Sequence, residues 1–266
     1  MVLSIVISTQ SASFSALAYQ GDLEENLRRI QSFGYSGVEL AIRDPVYLDV
    51  SSLNKWVTEL GLSVTAVGTG QAYSEEGLSF TDQDENIRRE AIQRIKDQIH
   101  FASRFKAMVI IGLIRGNPDK KIEKEQVQQW LLEAFDECAQ EDKSVKLVIE
   151  PCNRYEADLI NNVDEGLKFI REIGRENVGL LLDTFHMNIE EASIHGSIRK
   201  AADHLLHFHI ADSNRWYPGA GHLDFEAIFK TLKNIDYRGA VSAEILPFPD
   251  PDTAARQVVT NIQPFI

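Results

Sequence analysis

Two cysteines are all that the 266 residues contain, so Cys138 and Cys152 offer no disulfide framework. That usage suits a reducing compartment, and a cytoplasmic protein is the expectation. Basic residues are also scarce: 27 Lys and Arg stand against 40 Asp and Glu, a net charge of -13. Phosphate binding needs a basic patch, so nucleic acid is not an expected partner. A small anion held by one or two arginines is not excluded. No apolar run approaches the roughly 20 residues of a membrane span. The short run in MVLSIVISTQS has no basic residues ahead of it, unlike a signal peptide. Glycine-rich phosphate loops are missing too. Ser8-Thr9-Gln10-Ser11-Ala12-Ser13 follows the first strand-like run without a glycine, and neither GxGxxG nor GxxxxGK[ST] occurs elsewhere. That argues against an open nucleotide-binding sheet.

What is present is alternation. Short β-rich runs at Val2–Ser8, Gly37–Ile42, Leu62–Val67, Ala107–Leu113, Val145–Glu150, Val178–Asp183, Leu205–Ile210 and Ala240–Ile245 are each followed by an amphipathic stretch. Helices are expected at 22–33, 51–60, 84–105, 122–141, 163–173, 190–202, 225–234 and 251–262. Asp22 caps the first at its start and Gly34 ends it. Runs such as Met108-Val109-Ile110-Ile111 and Gly179-Leu180-Leu181-Leu182 are apolar at every position, as in a parallel sheet buried on both faces. Eight βα units fit a closed (β/α)8 TIM barrel of about 250 residues. The expectation is one α/β barrel domain over 1–266. A chain this long buries a core of its own, so any metal is functional rather than structural.

Barrel enzymes carry their chemistry at the carboxyl ends of the strands. Four consecutive strands end in or near an ionisable residue: Glu150 in KLVIEP, Asp183 in LLLDTFH, His209 in LHFHIAD and Glu244 in VSAEILP. A single carboxylate there would be costly to bury. One divalent ion offsets that cost for all four, and an oxygen-rich set suits Mn²⁺, Mg²⁺ or Co²⁺. Glu150 and Glu244 lie three strands apart and are expected to face each other across the mouth. They would serve as paired acid and base on either side of a substrate whose carbonyl and adjacent hydroxyl are held by the ion. Removing the proton beside the carbonyl gives a metal-stabilised enediolate, and returning it on the opposite face gives epimerisation. Aldose–ketose isomerisation needs much the same enediolate and a single base on one face. Glu156, His186 and Arg215 share the rim. Glu39 either orients a rim residue or pairs with Arg43. Asn153 and Asp212 read as bracing groups, Cys152 as a small buried residue, and His222 as loop structure.

The motifs VIEPCNRYE (148–156), LLDTFHMN (181–188), HFHIADSNRWYPGAGHLDF (207–225) and SAEILP (242–247) resemble the xylose-isomerase-like barrel superfamily. Within it they resemble the D-tagatose/D-psicose 3-epimerase group. The resemblance implies Glu150, Asp183, His209 and Glu244 as metal ligands, with the first and last as the acid/base pair. It implies Glu156, His186 and Arg215 as the grip on the substrate near its carbonyl, Mn²⁺ or Co²⁺ as the ion, and a homodimer or homotetramer. VISTQSASFSALAYQGDL, ELAIRDP, AVGTGQAYSEEGLS, VIIGLIRG and FHMNIEE resemble a branch that interconverts 5-keto-L-gluconate and D-tagaturonate. Neutral ketohexose epimerases carry bulky aromatics near the first and fourth strand ends, where this chain has Phe14 and Leu113-Ile114-Arg115. Arg115, with Arg43, is expected to bind a substrate carboxylate. The competing readings are a ketose or hydroxypyruvate isomerase, an inosose dehydratase, an abasic-site endonuclease and a non-catalytic metal-binding barrel.

Overall fold

The computed structural model describes residues 1–266. Its strands are β1 (Val2–Ser8), β2 (Gly37–Ala41), β3 (Ser63–Gly68), β4 (Met108–Ile111), β5 (Leu147–Ile149), β6 (Val178–Asp183), β7 (Leu205–Ile210) and β8 (Ala240–Ala243). Each pairs in parallel with the next, and β1 closes the ring on β8, Val2 opposite Ala240 and Ile5 opposite Ala243. This is the expected (β/α)8 barrel. A two-residue strand at Tyr19–Gln20, which has no counterpart among the expected elements, lies along the carboxyl end of β1.

The surrounding helices are α1 (Leu23–Phe33), α2 (Val50–Leu60), α3 (Glu85–Phe105), α4 (Lys124–Glu141), α5 (Val163–Ile173), α6 (Ile194–Ala201), α7 (Phe225–Asn234) and α8 (Pro251–Ile262). Their starts follow the capping chemistry in the sequence. Asp22, Asp49, Asp84, Asn162, Ser193, Asp224 and Asp250 each accept a backbone N–H of the first turn. The helix expected over 190–202 starts later, at Ile194 after the Ser193 cap, and an additional short helix at Thr184–Glu190, absent from the expectation, precedes it. No helix is long and apolar enough to cross a membrane.

Strand period decides what enters the barrel. Ala66, Ile110, Val148 and Leu181 form a small apolar cluster separate from the large core beneath the helices. Two residues further along the same strands, side chains return to the same face. Glu150 thus follows Val148, Asp183 follows Leu181, and His209 follows His207. The apolar cluster is the floor, and these polar residues stand above it.

Candidate active site

The four expected ligands converge. One donor atom each from Glu150, Asp183, His209 and Glu244 lies within 4.8 Å of the others. Glu150 Oε1, Asp183 Oδ2 and His209 Nδ1 are buried and make no hydrogen bond. Buried acceptors without donors are rare, and three aimed at one space fit a cation. The set of three carboxylates and an imidazole fits a divalent ion. Convergence also sharpens the expected geometry. Glu150 and Glu244 do not stand apart across the mouth but share one ion-sized space, their second oxygens free to flank a substrate.

Buried charge shapes the metal-free site. Burial pushes the Glu244 carboxyl up to about 8, with Glu150 and Asp183 adding to it against the pull of Arg215 and His209. Burial acts on Glu150 in the same direction, but the neighbouring His209, His186 and Arg215 together outweigh it and hold that carboxyl down at about 2. Gly112 leaves Glu150 its room. A Cβ there would stand 2.9 Å from Glu150 Oε2.

His209 is held from behind. Its Nε2 donates to Glu39 at 2.9 Å, and His207 Nε2 donates to the same carboxylate at 2.8 Å. Donation through Nε2 turns Nδ1 to the carboxylates. Burial works against a charged ring, but in the metal-free chain Glu39, Glu150 and Glu244 raise its pKa well above the usual range. Nδ1 offers its lone pair to an ion once its proton leaves. Glu39 is 1% exposed. Burial works against its charge, but the two imidazoles hold its pKa well below the usual range. Of the two roles open to Glu39, the structure supports orientation. Arg43 instead donates to the Ser11 carbonyl at 2.8 Å and lies near Glu75.

Glu156, His186, Arg215 and Phe14 line the cavity above the cluster. His186 Nε2 lies 3.8 Å from Glu150 Oε1 and 4.0 Å from Asp183 Oδ2. Burial, with Arg215, lowers the His186 pKa against the pull of Asp183 and Glu150. Arg215 stands on a tight turn with φ 64, its N–H donating to the Asp212 carbonyl at 2.8 Å. Its guanidinium lies over the Phe185 ring, 3.0 Å from Asp183 Oδ2 and against Glu244. Asp212 braces that loop by accepting the N–H groups of Ser213, Gly219 and Leu223. Phe14 packs on Val6, Leu17 and Ala41. Cys152 is buried in the cavity wall, and burial raises its thiol pKa. His222 is exposed and outside the cavity.

Arg115 corrects an expectation. It does not line the cavity and is 1% exposed. Its guanidinium donates to the carbonyls of Ile111 at 3.0 Å, Glu150 at 2.6 Å and Leu159 at 3.0 Å. The chain leaves β4 at Gly112 into a 3₁₀ turn over Leu113–Arg115, which tucks the side chain beneath the rim instead of along it. It ties the ends of two strands together and is not free to meet a carboxylate.

One residue that the sequence marked only as bracing carries more of the site than expected. It is Asn153, buried at 1%, whose amide reaches both Glu156 and His186.

Residues 27–263 match the family model for the xylose isomerase-like TIM barrel. The L-ribulose 3-epimerase of Mesorhizobium japonicum is 31% identical over 242 residues, covering 90% of this chain and 80% of that protein. The 3-dehydro-D-guloside 4-epimerase of Escherichia coli is 29% identical, covering 90% of this chain and 91% of its own. Among solved structures, the D-allulose 3-epimerase of Methylomonas sp. in complex with D-allulose superposes with a TM-score of 0.83 at 25% identity, over 100% of this chain and 97% of that one.

Proposed function

The chain belongs to the xylose isomerase-like TIM barrel family and is a carbohydrate epimerase, and on that premise we propose that it inverts the carbon beside the ketone of a keto-sugar with one divalent metal ion. The observation that carries this is the meeting of four donor atoms, three of them buried without hydrogen bonds, with two glutamates among them. Glu150, Asp183, His209 and Glu244 would hold the ion, and the donor set favours Mn²⁺, with Co²⁺ and Mg²⁺ as alternatives. The bound ion supplies Lewis acidity that makes the hydrogen beside the ketone easier to remove.

The chain's own residues do the rest. One of Glu150 and Glu244 takes the proton from one face of the carbon, and the other returns a proton to the opposite face. Glu156, His186 and Arg215 grip the oxygens at the ketone end. Phe14 packs against the carbon chain further out.

The proposed substrate pair is 5-keto-L-gluconate and D-tagaturonate. Two features support it: the stretches that resemble the keto-acid branch, and a cavity wall in which Phe14 is the single Phe, Tyr or Trp. Leu113 stands near the fourth strand end. Arg115 no longer supports this reading. We further propose a cytoplasmic homodimer or homotetramer, which light scattering tests for assembly.

The test is a screen of the manganese-loaded enzyme over keto-uronates and ketohexoses in D₂O, read by NMR. Inversion beside the ketone with one deuterium incorporated is expected. It should be lost in both Glu150→Gln and Glu244→Gln. Turnover of neither substrate class would sink the assignment, and an aldose product would replace it with an isomerase.

A further inference from the structure

The hydrogen bonds around His186 assign its tautomer, and one buried amide makes the assignment. Asn153 Oδ1 accepts the backbone N–H of Tyr155 at 3.0 Å. That fixes which end of the amide is oxygen. The Nδ2 end then faces two groups, Glu156 Oε1 at 2.8 Å and His186 Nδ1 at 2.7 Å. Turning the amide over would set its oxygen against a carboxylate and its NH₂ against an N–H. An NH₂ group has hydrogens to give and no lone pair to offer. His186 Nδ1 is therefore an acceptor, and the ring hydrogen is on Nε2.

Nε2 is the ring atom that faces the metal cluster. It lies 3.8 Å from Glu150 Oε1 and 4.0 Å from Asp183 Oδ2, too far to be spent on either. The N–H is left for an oxygen in the cavity. His209 makes the contrast: Glu39 accepts from its Nε2, so Nδ1 is the atom turned to the cluster. Two imidazoles of one site thus turn opposite ring nitrogens to it.

We propose that Asn153 is the positioning residue that fixes His186 as the Nε2–H tautomer, making His186 a hydrogen-bond donor to a substrate oxygen and neither a base nor a fifth metal ligand. The same amide sets Glu156, so one side chain aligns two parts of the substrate grip. The role at the substrate rests on the epimerase reading, whereas the tautomer does not.

The decisive variant is Asn153→Asp. It keeps shape but sets a carboxylate oxygen against both Glu156 and His186 in place of the donor, so the neutral His186 ring should carry its hydrogen on Nδ1 and face the cavity with a lone pair. Long-range ¹H–¹⁵N NMR of histidine-labelled protein reads the tautomer directly. Wild type should show His186 with hydrogen on Nε2, with and without diamagnetic Mg²⁺, and Asn153→Asp should show it on Nδ1. Kinetics with D-tagaturonate should then show kcat/KM reduced by about a hundred-fold. Mn²⁺ affinity should stay within two-fold, because Asn153 touches none of the four ligands. A wild-type spectrum with hydrogen on Nδ1 overturns the proposal, even if the variant does not fold. So does an Asn153→Asp enzyme that keeps full kcat/KM. Absence of D-tagaturonate turnover by wild type would instead count against that substrate and leave the tautomer standing, and the kinetic comparison would then use the keto-sugar that wild type turns over.

Discussion

Replacing Glu39 by Gln perturbs the metal site without touching a donor atom. In the native chain one carboxylate accepts from two imidazole N–H groups, His207 at 2.8 Å and His209 at 2.9 Å. Both of these bonds end on Oε2, and His209 Nε2 also lies 3.1 Å from Oε1. If the glutamine oxygen takes the Oε2 place, the buried NH₂ is set against the His209 N–H. If the NH₂ takes the Oε2 place, it meets both rings, and His207 must move its hydrogen to Nδ1, which is buried with no partner. Either way one buried polar group is left unsatisfied, at a cost of about 1–3 kcal/mol. Outer partners of metal-bound histidines are worth about 10–100-fold in affinity, or about 1.4–2.7 kcal/mol. The two routes to the magnitude agree. Mn²⁺ titration by calorimetry should therefore show a Kd about 10–100-fold weaker in Glu39→Gln, with circular dichroism confirming the fold. A folded variant whose Kd lies within two-fold of wild type would refute the reasoning.

Other consequences follow from the same coordinates. Arg115→Ala should lower stability by more than about 3 kcal/mol, since three carbonyl bonds to a buried cation are lost. Chemical denaturation measures it, and the ratio of kcat/KM between keto-uronate and neutral ketohexose should not move. Metal binding should release protons. In the metal-free chain the Glu244 carboxyl sits at about 8, so it is mainly protonated at pH 7 and an ion must displace that proton. Affinity should rise from pH 6 to 8, and calorimetry in buffers of different ionisation enthalpy should show at least one proton released. Heats independent of buffer would contradict this. Gly112→Ala sets a Cβ 2.9 Å from Glu150 Oε2. It should reduce kcat at least ten-fold by displacing that glutamate, and wild-type kinetics would show that the neighbouring wall gives way instead.

The barrel was legible because its strands are apolar at every position and its helices carry their caps in the sequence. Met108–Ile111 and Val178–Asp183 read as doubly buried strands, and Asp22 and Gly34 delimit α1 as expected. The four rim residues were legible for the same reason, since each interrupts or ends an apolar run. What escaped depended on partners far along the chain. Glu39 lies within β2, and nothing local says that its carboxylate meets two histidines from β7. Asn153 looks like any loop polar residue until its three neighbours are known. Arg115 misled because GLIRG continues the apolar run of β4. The turn at Gly112 that buries it has a backbone signature only in the fold.

The closure of β1 on β8 has a consequence for how the protein matures. Strands β5 to β8 bring every donor atom, so a carboxyl-terminal half-barrel would hold a complete ligand inventory. It would still lack Glu39, which comes from β2 and is 170 residues away from His209. The aim of the imidazole thus waits on the amino-terminal half taking its place in the ring. If the four donors hold the ion as proposed, its high-affinity capture should come late in folding, and an ion-binding signal during refolding would report ring completion.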